Sequence, residues 1–192
     1  MKKMALMLVA VLGLSGAAWA DNGWGIFGSY WDPGDLDGAG GVGGKMSFEI
    51  APHALLDFRA TWYENFEQSS GDTTASLEMM PFDVGFSLVA GTKPVDVYMM
   101  AGYSFFSIDG DVYSGGRKVD VDFDDENGFY AGAGLEVTLS DSPGVTGATR
   151  VTFMVEGIYR YLEVDEVDVV GSSFVGDSLD GLGVNAGFMI RW

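Results

Sequence analysis

The sequence predicts an all-β fold, a transmembrane eight-stranded antiparallel up-and-down β-barrel. Three observations predict it: eight segments alternate between apolar and small or polar residues, the links between them alternate in length, and acidic residues concentrate in the long links. Successive side chains of a strand point to opposite faces, so each segment has one apolar and one polar face. Tilted strands of about ten residues are long enough to span a bilayer.

The eight segments share a period of two residues, and no long helical period appears after residue 20. They are Trp24–Trp31, Val42–Ile50, Leu55–Phe66, Leu77–Ala90, Val95–Ile108, Phe129–Leu139, Arg150–Leu162 and Leu182–Trp192. The last segment ends on an aromatic residue of its apolar face, Trp192. A closed barrel has no free edge and lipid covers its apolar face, which explains such an ending. The first segment is aromatic on both faces, so its phase stays open.

Residues 1–20 are predicted to be a cleaved secretory signal, and residues 21–192 the outer-membrane β-barrel domain. Two lysines precede an apolar stretch that is too short for a membrane-spanning helix, and Ala18-Trp19-Ala20 matches a small-x-small cleavage site. The chain contains no cysteine, which argues against a disulfide scaffold or a thiolate metal site.

The links between the segments differ in length and charge. The short ones are Ala51–Ala54, Gly91–Pro94 and Ser140–Thr149, and the long ones are Asp32–Gly41, Glu67–Ser76, Asp109–Gly128 and Glu163–Gly181. Without Lys2 and Lys3 the chain has 8 basic and 28 acidic residues, a net charge of −20, of which the long links and adjacent strand ends hold −17. Short turns on one rim and long loops on the other are typical of bacterial outer-membrane barrels. No basic patch exists for nucleic acid.

Aromatic residues near the segment ends predict two interfacial girdles, because amphipathic rings favour the headgroup region. The girdle toward the long links comprises Trp31, Trp62, Tyr63, Phe105, Tyr159 and Tyr161, and the one toward the short turns Phe48, Phe82 and Trp192. Pro81 predicts a bulge in the fourth segment.

The inward faces carry a nearly balanced set of acids and bases. The set is Lys45, Glu49, Asp57, Arg59, Asp83, Asp96, Glu136, Arg150, Glu156, Arg160 and Arg191. Charges in a narrow interior must pair, and an eight-stranded barrel holds only its own side chains or one small ligand. We expect an ion-pair and water network whose core is Glu49, Asp57, Arg59, Glu136, Glu156 and Arg160. It is interpreted as a structural plug, with a gate or narrow ion path as the alternative.

The run Gly128-Phe129-Tyr130-Ala131-Gly132-Ala133-Gly134-Leu135-Glu136, the signal, the eight strands and the aromatic terminus resemble the OmpA/OmpX-type outer-membrane β-barrel family. The resemblance covers the whole mature chain and implies a small barrel. The chain departs from OmpA itself, because we expect it to end at the barrel, without a periplasmic peptidoglycan-binding domain. The resemblance also implies insertion by the barrel assembly machinery, with Phe188, Ile190 and Trp192 as the assembly signal. We expect a monomer in contact with outer-membrane lipid and lipopolysaccharide.

Enzyme chemistry has little support in the sequence. The single histidine, His53, lies in a short turn without a nucleophile partner, so we expect no enzyme and no cofactor. Asp120, Asp122 and Asp124 are weak candidates for Ca²⁺ ligands, since the segment lacks the spacing of an EF-hand loop. A solvated acidic face is the simpler interpretation, and divalent ions that bridge these acids to lipopolysaccharide are an intermediate one.

The predicted function is a structural or surface-interaction role in the outer membrane, with long acidic extracellular loops. One alternative is a narrow channel or transporter for ions or small, possibly apolar, molecules. Another is a secreted soluble lipocalin-like ligand-binding barrel, which would require the apolar faces to point inward.

Overall fold

The structure is a computed structural model of the chain. It describes residues 22–34, 37–70, 73–92, 94–114, 117–122, 126–144, 147–162, 168–169, 172–173 and 179–192. The predicted signal, residues 1–20, lies outside these ranges. No helix within them is long and apolar enough to cross a membrane.

Eight long antiparallel strands close into a barrel, as predicted. They are β1 (Gly23–Pro33), β2 (Ala39–Ala51), β3 (Ala54–Ser70), β4 (Thr73–Thr92), β5 (Val95–Ser114), β7 (Glu126–Gly144), β8 (Gly147–Leu162) and β11 (Gly181–Arg191). Each pairs with the next in the ring, and β11 closes it on β1. Three short strands are additional: β6 (Arg117–Asp122), which pairs with β5, and β9 (Asp168–Val169) and β10 (Ser172–Ser173), which pair with each other.

The apolar faces point outward. On β11, Leu182, Val184 and Phe188 are about half exposed, while Asn185 and Met189 on the other face of the strand are buried. The same alternation runs along the whole of β1. A soluble ligand-binding cup would need the opposite arrangement, so this observation excludes the lipocalin-like interpretation.

Two of the predicted long links are largely strand. The β3–β4 hairpin stays paired up to Ser70 and Thr73, and β5 continues to Ser114, where it pairs with Arg117 of β6. At the other rim, the β7–β8 hairpin is paired up to Gly144 and Gly147, so Ser140–Thr149 is also mostly strand. Backbone pairing continues beyond the lipid-covered wall, where alternation no longer marks strand ends. We call the rim with the short turns the turn end and the opposite rim the link end.

The bulge predicted at Pro81 lies nearby but on the neighbouring strand. The β3–β4 register shifts between Tyr63 and Phe66, whereas β4 pairs with β5 without interruption through Pro81 and Phe106. The residue that accommodates the irregularity is therefore on β3.

The seam, our name for the β1–β11 pairing, is rich in inward-facing glycine. Five of its six inward-facing register pairs contain glycine: Gly23–Arg191, Gly25–Met189, Phe27–Gly187, Trp31–Gly183 and Pro33–Gly181. Each large inward side chain in these five pairs is therefore opposite a glycine, which has no side chain, on the other strand of the seam.

The aromatic girdles need three corrections. Trp31 and Tyr63 are completely buried in the lumen, the interior of the barrel. Tyr63 follows the half-exposed Trp62, and neighbours in a strand cannot share a face. Phe82 pairs with Phe105 near the middle of the β4–β5 pairing, which runs from Thr73 to Thr92, and so does not lie at the turn end.

Candidate functional site: the filled lumen

A network of six charged side chains fills the middle of the lumen. Three cations and three carboxylates, each at most 1% exposed, make it up: Lys45, Arg59, Arg160, Asp57, Asp83 and Glu156. The formal charges cancel, as a buried set requires, because an unpaired ion at such a depth costs several kcal/mol.

Glu156 is the most heavily bonded carboxylate of the network. The Lys45 ammonium donates to its Oε1 at 2.8 Å, and Nη2 of Arg59 lies 3.1 Å from its Oε2. The Tyr98 hydroxyl donates to Oε1 at 2.9 Å and the Asn185 amide to Oε2 at 3.0 Å. Five strands of the barrel, β2, β3, β5, β8 and β11, thereby converge on one side chain.

Asp83 and Asp57 hold the remaining charges. Arg160 donates from Nη2 to Asp83 at 2.9 Å, and Nη1 of Arg59 approaches the same oxygen at 3.4 Å. Lys45 lies 3.5 Å from Asp57. Serine hydroxyls donate to the free positions of both carboxylates: Ser47, Ser87 and Ser104.

Toward the turn end, a second ion pair lies above an open cavity. Arg191 donates to both oxygens of Glu136, from Nε at 2.7 Å, and Thr152 adds a hydrogen bond of 3.0 Å. Below it lies a cavity of about 230 Å³. Its polar lining includes partly exposed Glu49 and the pair Arg150–Asp96, whose charged atoms are 3.9 Å apart.

Toward the link end, the lumen is filled by apolar side chains. The cluster consists of Trp31, Ala39, Tyr63, Phe66, Met79, Phe106, Ile108, Leu162 and Leu179. The Trp31 ring packs against three other aromatic rings, with centroid distances of 5.5–5.9 Å. On the side of the Trp31 ring that faces the turn end, the Arg160 guanidinium lies 5.6 Å from the ring centroid. The apolar layer is therefore in direct contact with the ion network.

A few polar atoms between the two layers have no hydrogen-bond partner among the described residues. They are Nε1 of Trp31, Nε of Arg59, Oγ1 of Thr61, and Nε and Nη1 of Arg160. Buried polar atoms of this kind are ordinarily satisfied by internal water.

The candidate core residues separate into two groups. Asp57, Arg59, Glu156 and Arg160 lie in the central network. Glu136 of the second ion pair and Glu49 line the turn-end cavity, because the position of Glu49 on β2 is close to the turn end. Phe188 and Trp192 are about half exposed, and Ile190 is partly exposed, on the outer wall.

Two residues of the central network, Lys45 and Asp83, belong to the inward set that the sequence predicts but not to its predicted core. Strand register makes them central: Arg59 is directly opposite Lys45 on β2 and Asp83 on β4. The alternation in the sequence places both side chains on inward faces, which is the signal that could have identified them. Periodicity alone, however, does not show which residues of neighbouring strands are opposite each other.

The candidate calcium ligands lie at the edge of what the structure describes. The backbones of Asp120 and Asp122 belong to β6, opposite Asp111 and Asp109, while their side chains and the whole of Asp124 lie outside the described part. Among described side chains, no group of three His, Asp or Glu could hold a metal ion.

Solved structures with low sequence identity share this fold. OprG from Pseudomonas aeruginosa is 12% identical with a TM-score of 0.62, and Neisserial surface protein A is 15% identical with a TM-score of 0.58; each match covers 90% of this chain and 96% of the other. Ail, the attachment invasion locus protein of Yersinia pestis, is 14% identical with a TM-score of 0.53, over 90% and 97%. Ail has also been solved in complex with the heparin analogue sucrose octasulfate.

No curated protein sequence matches the chain. The model of the outer membrane protein beta-barrel domain family, however, matches residues 4–191. Because that match spans nearly the whole chain and the folds agree, the chain is a member of the outer membrane protein β-barrel domain family, of the OmpA/OmpX type, and resides in the outer membrane.

Proposed function

We propose that this protein is a closed, monomeric outer-membrane barrel with a structural and surface-contact role. The observation that carries the proposal is the filled lumen, in which an apolar layer, a neutral ion network and the Glu136–Arg191 pair follow one another along the axis. An ion on its way through would have to displace buried salt bridges and then cross an apolar layer.

The narrow-channel alternative has one feature in its favour, the cavity at the turn end. In outer-membrane barrels this end faces the periplasm. A path from the cavity to the exterior would still have to pass Glu156, Arg59 and Trp31, all of which are at most 1% exposed. We therefore favour the plug over the gate.

Planar-bilayer recording tests the closed barrel. Protein whose folding has been verified by its heat-dependent gel mobility is reconstituted in 1 M KCl, roughly the ionic strength at which surface charge is screened within a few ångströms. We expect a silent membrane. Reproducible unitary steps from folded protein would overturn the proposal and support the channel.

The surface role concerns the link end, which in this topology faces the exterior. Its links and strand ends hold −17 of the net charge, so a polyanion meets like charge there. Divalent cations fit this surface, either alone or as bridges to the phosphates of lipopolysaccharide. In this proposal the binding of a heparin analogue, as seen for Ail, does not extend to this chain.

Non-enzymatic function is part of the same proposal. Among the described residues, His53 lines the turn-end cavity. The carboxylates of the central network, Asp57, Asp83 and Glu156, are held in ion pairs and do not line that cavity. A general base has to reach a substrate proton, and these groups do not.

A further inference from the structure

The unpartnered polar atoms between the ion network and the apolar layer are mostly hydrogen-bond donors. They belong to four side chains, each at most 1% exposed, which we call the donor cluster: Trp31, Arg59, Thr61 and Arg160. Four of the five atoms are nitrogens that can only donate, and the Thr61 hydroxyl alone can also accept. Among the described residues, the donor cluster therefore lacks acceptors.

The members of the donor cluster lie in one layer of the lumen. Nη2 of Arg160 and Nη1 of Arg59 approach the same oxygen of Asp83, at 2.9 and 3.4 Å. The Arg160 guanidinium lies 5.6 Å from the centre of the Trp31 ring. Thr61 follows Arg59 by two residues on β3, so both side chains point into the lumen. Strands β1, β3 and β8 thus direct their unpartnered donors to the same level.

Room for a small occupant lies beside Arg160. Gly183 on β11 faces the lumen opposite Trp31, and a Cβ atom at Gly183 would meet no heavy atom nearer than 3.3 Å beyond its chain neighbours. One of its three nearest atoms would be an unpartnered nitrogen, Nη1 of Arg160, at 3.4 Å. The other four inward glycines of the seam are more closely packed, each with an atom at 3.0 Å or nearer. Gly183 is therefore the most open inward position of the seam.

The donor cluster is also on the positive side of the central network. The formal charges of the network cancel, but they are not spread evenly along the barrel axis. On β8, Arg160 lies nearer the link end than Glu156, and on β3, Asp57 lies nearer the turn end than Arg59. The electrostatic potential is therefore more positive at the donor cluster than at the opposite side of the network.

Internal water is the ordinary partner of buried polar groups, but it does not remove a surplus of donors. Each water that accepts a hydrogen bond brings hydrogens that need acceptors of their own. A small anion only accepts, and it can take hydrogen bonds from several N–H groups at once. A monovalent anion is favoured over a divalent one, because burial of charge is costly.

We propose that the donor cluster binds one halide ion, chloride in the living cell, beside Gly183 and between the ion network and Trp31. The inference rests on the proposed closed barrel and deepens it, because it names a ligand that is part of the plug. The ion is enclosed when the barrel folds and stays bound while the wall is intact.

Anomalous diffraction locates the ion. Barrel that is refolded and crystallised in sodium bromide should show an anomalous peak beside Gly183, in contact with Nε1 of Trp31 and Nη1 of Arg160. Density without a bromide signal at this position would mean water and would overturn the proposal. Bromide found only on the outer surface would be an adventitious ion only and would overturn it equally.

Urea unfolding gives a second test. A ligand that binds only the folded barrel stabilises it by mass action, so above the Kd a tenfold rise in chloride should lower the unfolding constant about tenfold. Sodium methanesulfonate, whose anion is larger, keeps the ionic strength constant. A stability that does not respond to chloride under these conditions would contradict the proposal.

Two variants remove single donors from the cluster. Trp31→Phe keeps an aromatic ring without the indole N–H, and Thr61→Val replaces the hydroxyl by a methyl group. Each should weaken chloride binding about tenfold or more, the effect of one lost hydrogen bond to a charged group. Trp24→Phe is the matched control, because Trp24 is 46% exposed on the outer wall. Heat-dependent gel mobility verifies that each variant is folded.

A chloride dependence that both variants share unchanged with Trp24→Phe would overturn the anion site. Planar-bilayer recording distinguishes that failure from failure of the closed barrel. Unitary steps would refute the closed barrel, whereas a silent membrane together with a lumen free of bromide would refute the anion site alone.

Discussion

The backbone amide of Trp192 donates a hydrogen bond of 2.9 Å to the carbonyl oxygen of Asn22, so the last residue of the chain is joined to the strand that begins the barrel. The side chain of Asn22 in turn accepts from the Glu49 amide at 3.2 Å. At the turn end, Asn22 therefore connects the end of β11 with the start of β1 and also with β2.

Trp192→Ala should reduce the amount of folded barrel in the outer membrane of cells, if Trp192 belongs to an assembly signal. Trp24→Ala is the control, because Trp24 on β1 is 46% exposed against 49% for Trp192, so both lose similar contact with lipid. Heat-shifted band intensity in outer-membrane fractions is the measurement. Equal losses in the two variants would mean that only interfacial anchoring is at stake.

Glu156→Gln should destabilise the barrel by about 3 kcal/mol, because it leaves Lys45 and Arg59 buried beside a neutral amide. The midpoint of urea unfolding in lipid vesicles measures the change. Glu78→Gln, at an exposed position of β4, is the control and should move the midpoint little. A shift for Glu156→Gln no larger than that of the control would mean that the network does not hold the wall together.

Gly187→Ala should cost about 1–3 kcal/mol, since the new methyl group would meet the carbonyl oxygen of Ile26 and lie 2.6 Å from the Cα of Phe27. Gly28→Ala, on the outward face of β1, is the matched substitution, with its nearest atom at 4.0 Å. The same unfolding midpoints compare them. If both variants unfold alike, the close approach at the seam does not limit stability.

His53 has a positive φ of 68° in the turn between β2 and β3, a conformation that asparagine tolerates and β-branched residues avoid. His53→Val should therefore lose about 1–2 kcal/mol, while His53→Asn should match the parent protein. The carbonyl oxygen of His53 accepts from the Val89 amide at 2.8 Å, so a distorted turn also disturbs β4. Equal stability of the two variants would contradict this account.

Sucrose octasulfate should not bind the folded barrel at low ionic strength, where like-charge repulsion at the link end is strongest. Calorimetric titration of detergent-solubilised protein provides the measurement, and the same titration with Ca²⁺ should show binding to the acidic rim. Saturable binding of the sulfated sugar would contradict the proposal that the acidic link end repels polyanions.

The barrel and its inside-out arrangement could be predicted because a period of two residues records which face meets lipid, as in the alternation from Leu182 to Trp192. The pairing of Lys45 and Asp83 with Arg59 could not, because it depends on register across three strands. Trp31 was ambiguous for a physical reason: the space that accepts it is created by Gly183 on the opposite edge of the seam, 152 positions further along the chain.

Strand ends were the least predictable part. Within the membrane, the outward face must be apolar, so an outward polar residue shows that a predicted strand has ended or changed phase. Beyond the membrane, both faces of a strand meet water, and the backbone can stay paired whatever the side chains are. This explains why the β3–β4 and β5–β6 pairings continue to Ser70 and Ser114, through residues that the sequence predicts to be links.

The glycines of the seam have a consequence for the order of assembly. At five of its six inward steps, only one of the two strands carries a side chain larger than hydrogen. The edges of β1 and β11 can therefore meet around a lumen whose ion pairs and aromatic layer are already packed, with hydrogen bonding as the only remaining event. The seam is therefore the strand pairing best suited to form last, after the side chains of the lumen have packed.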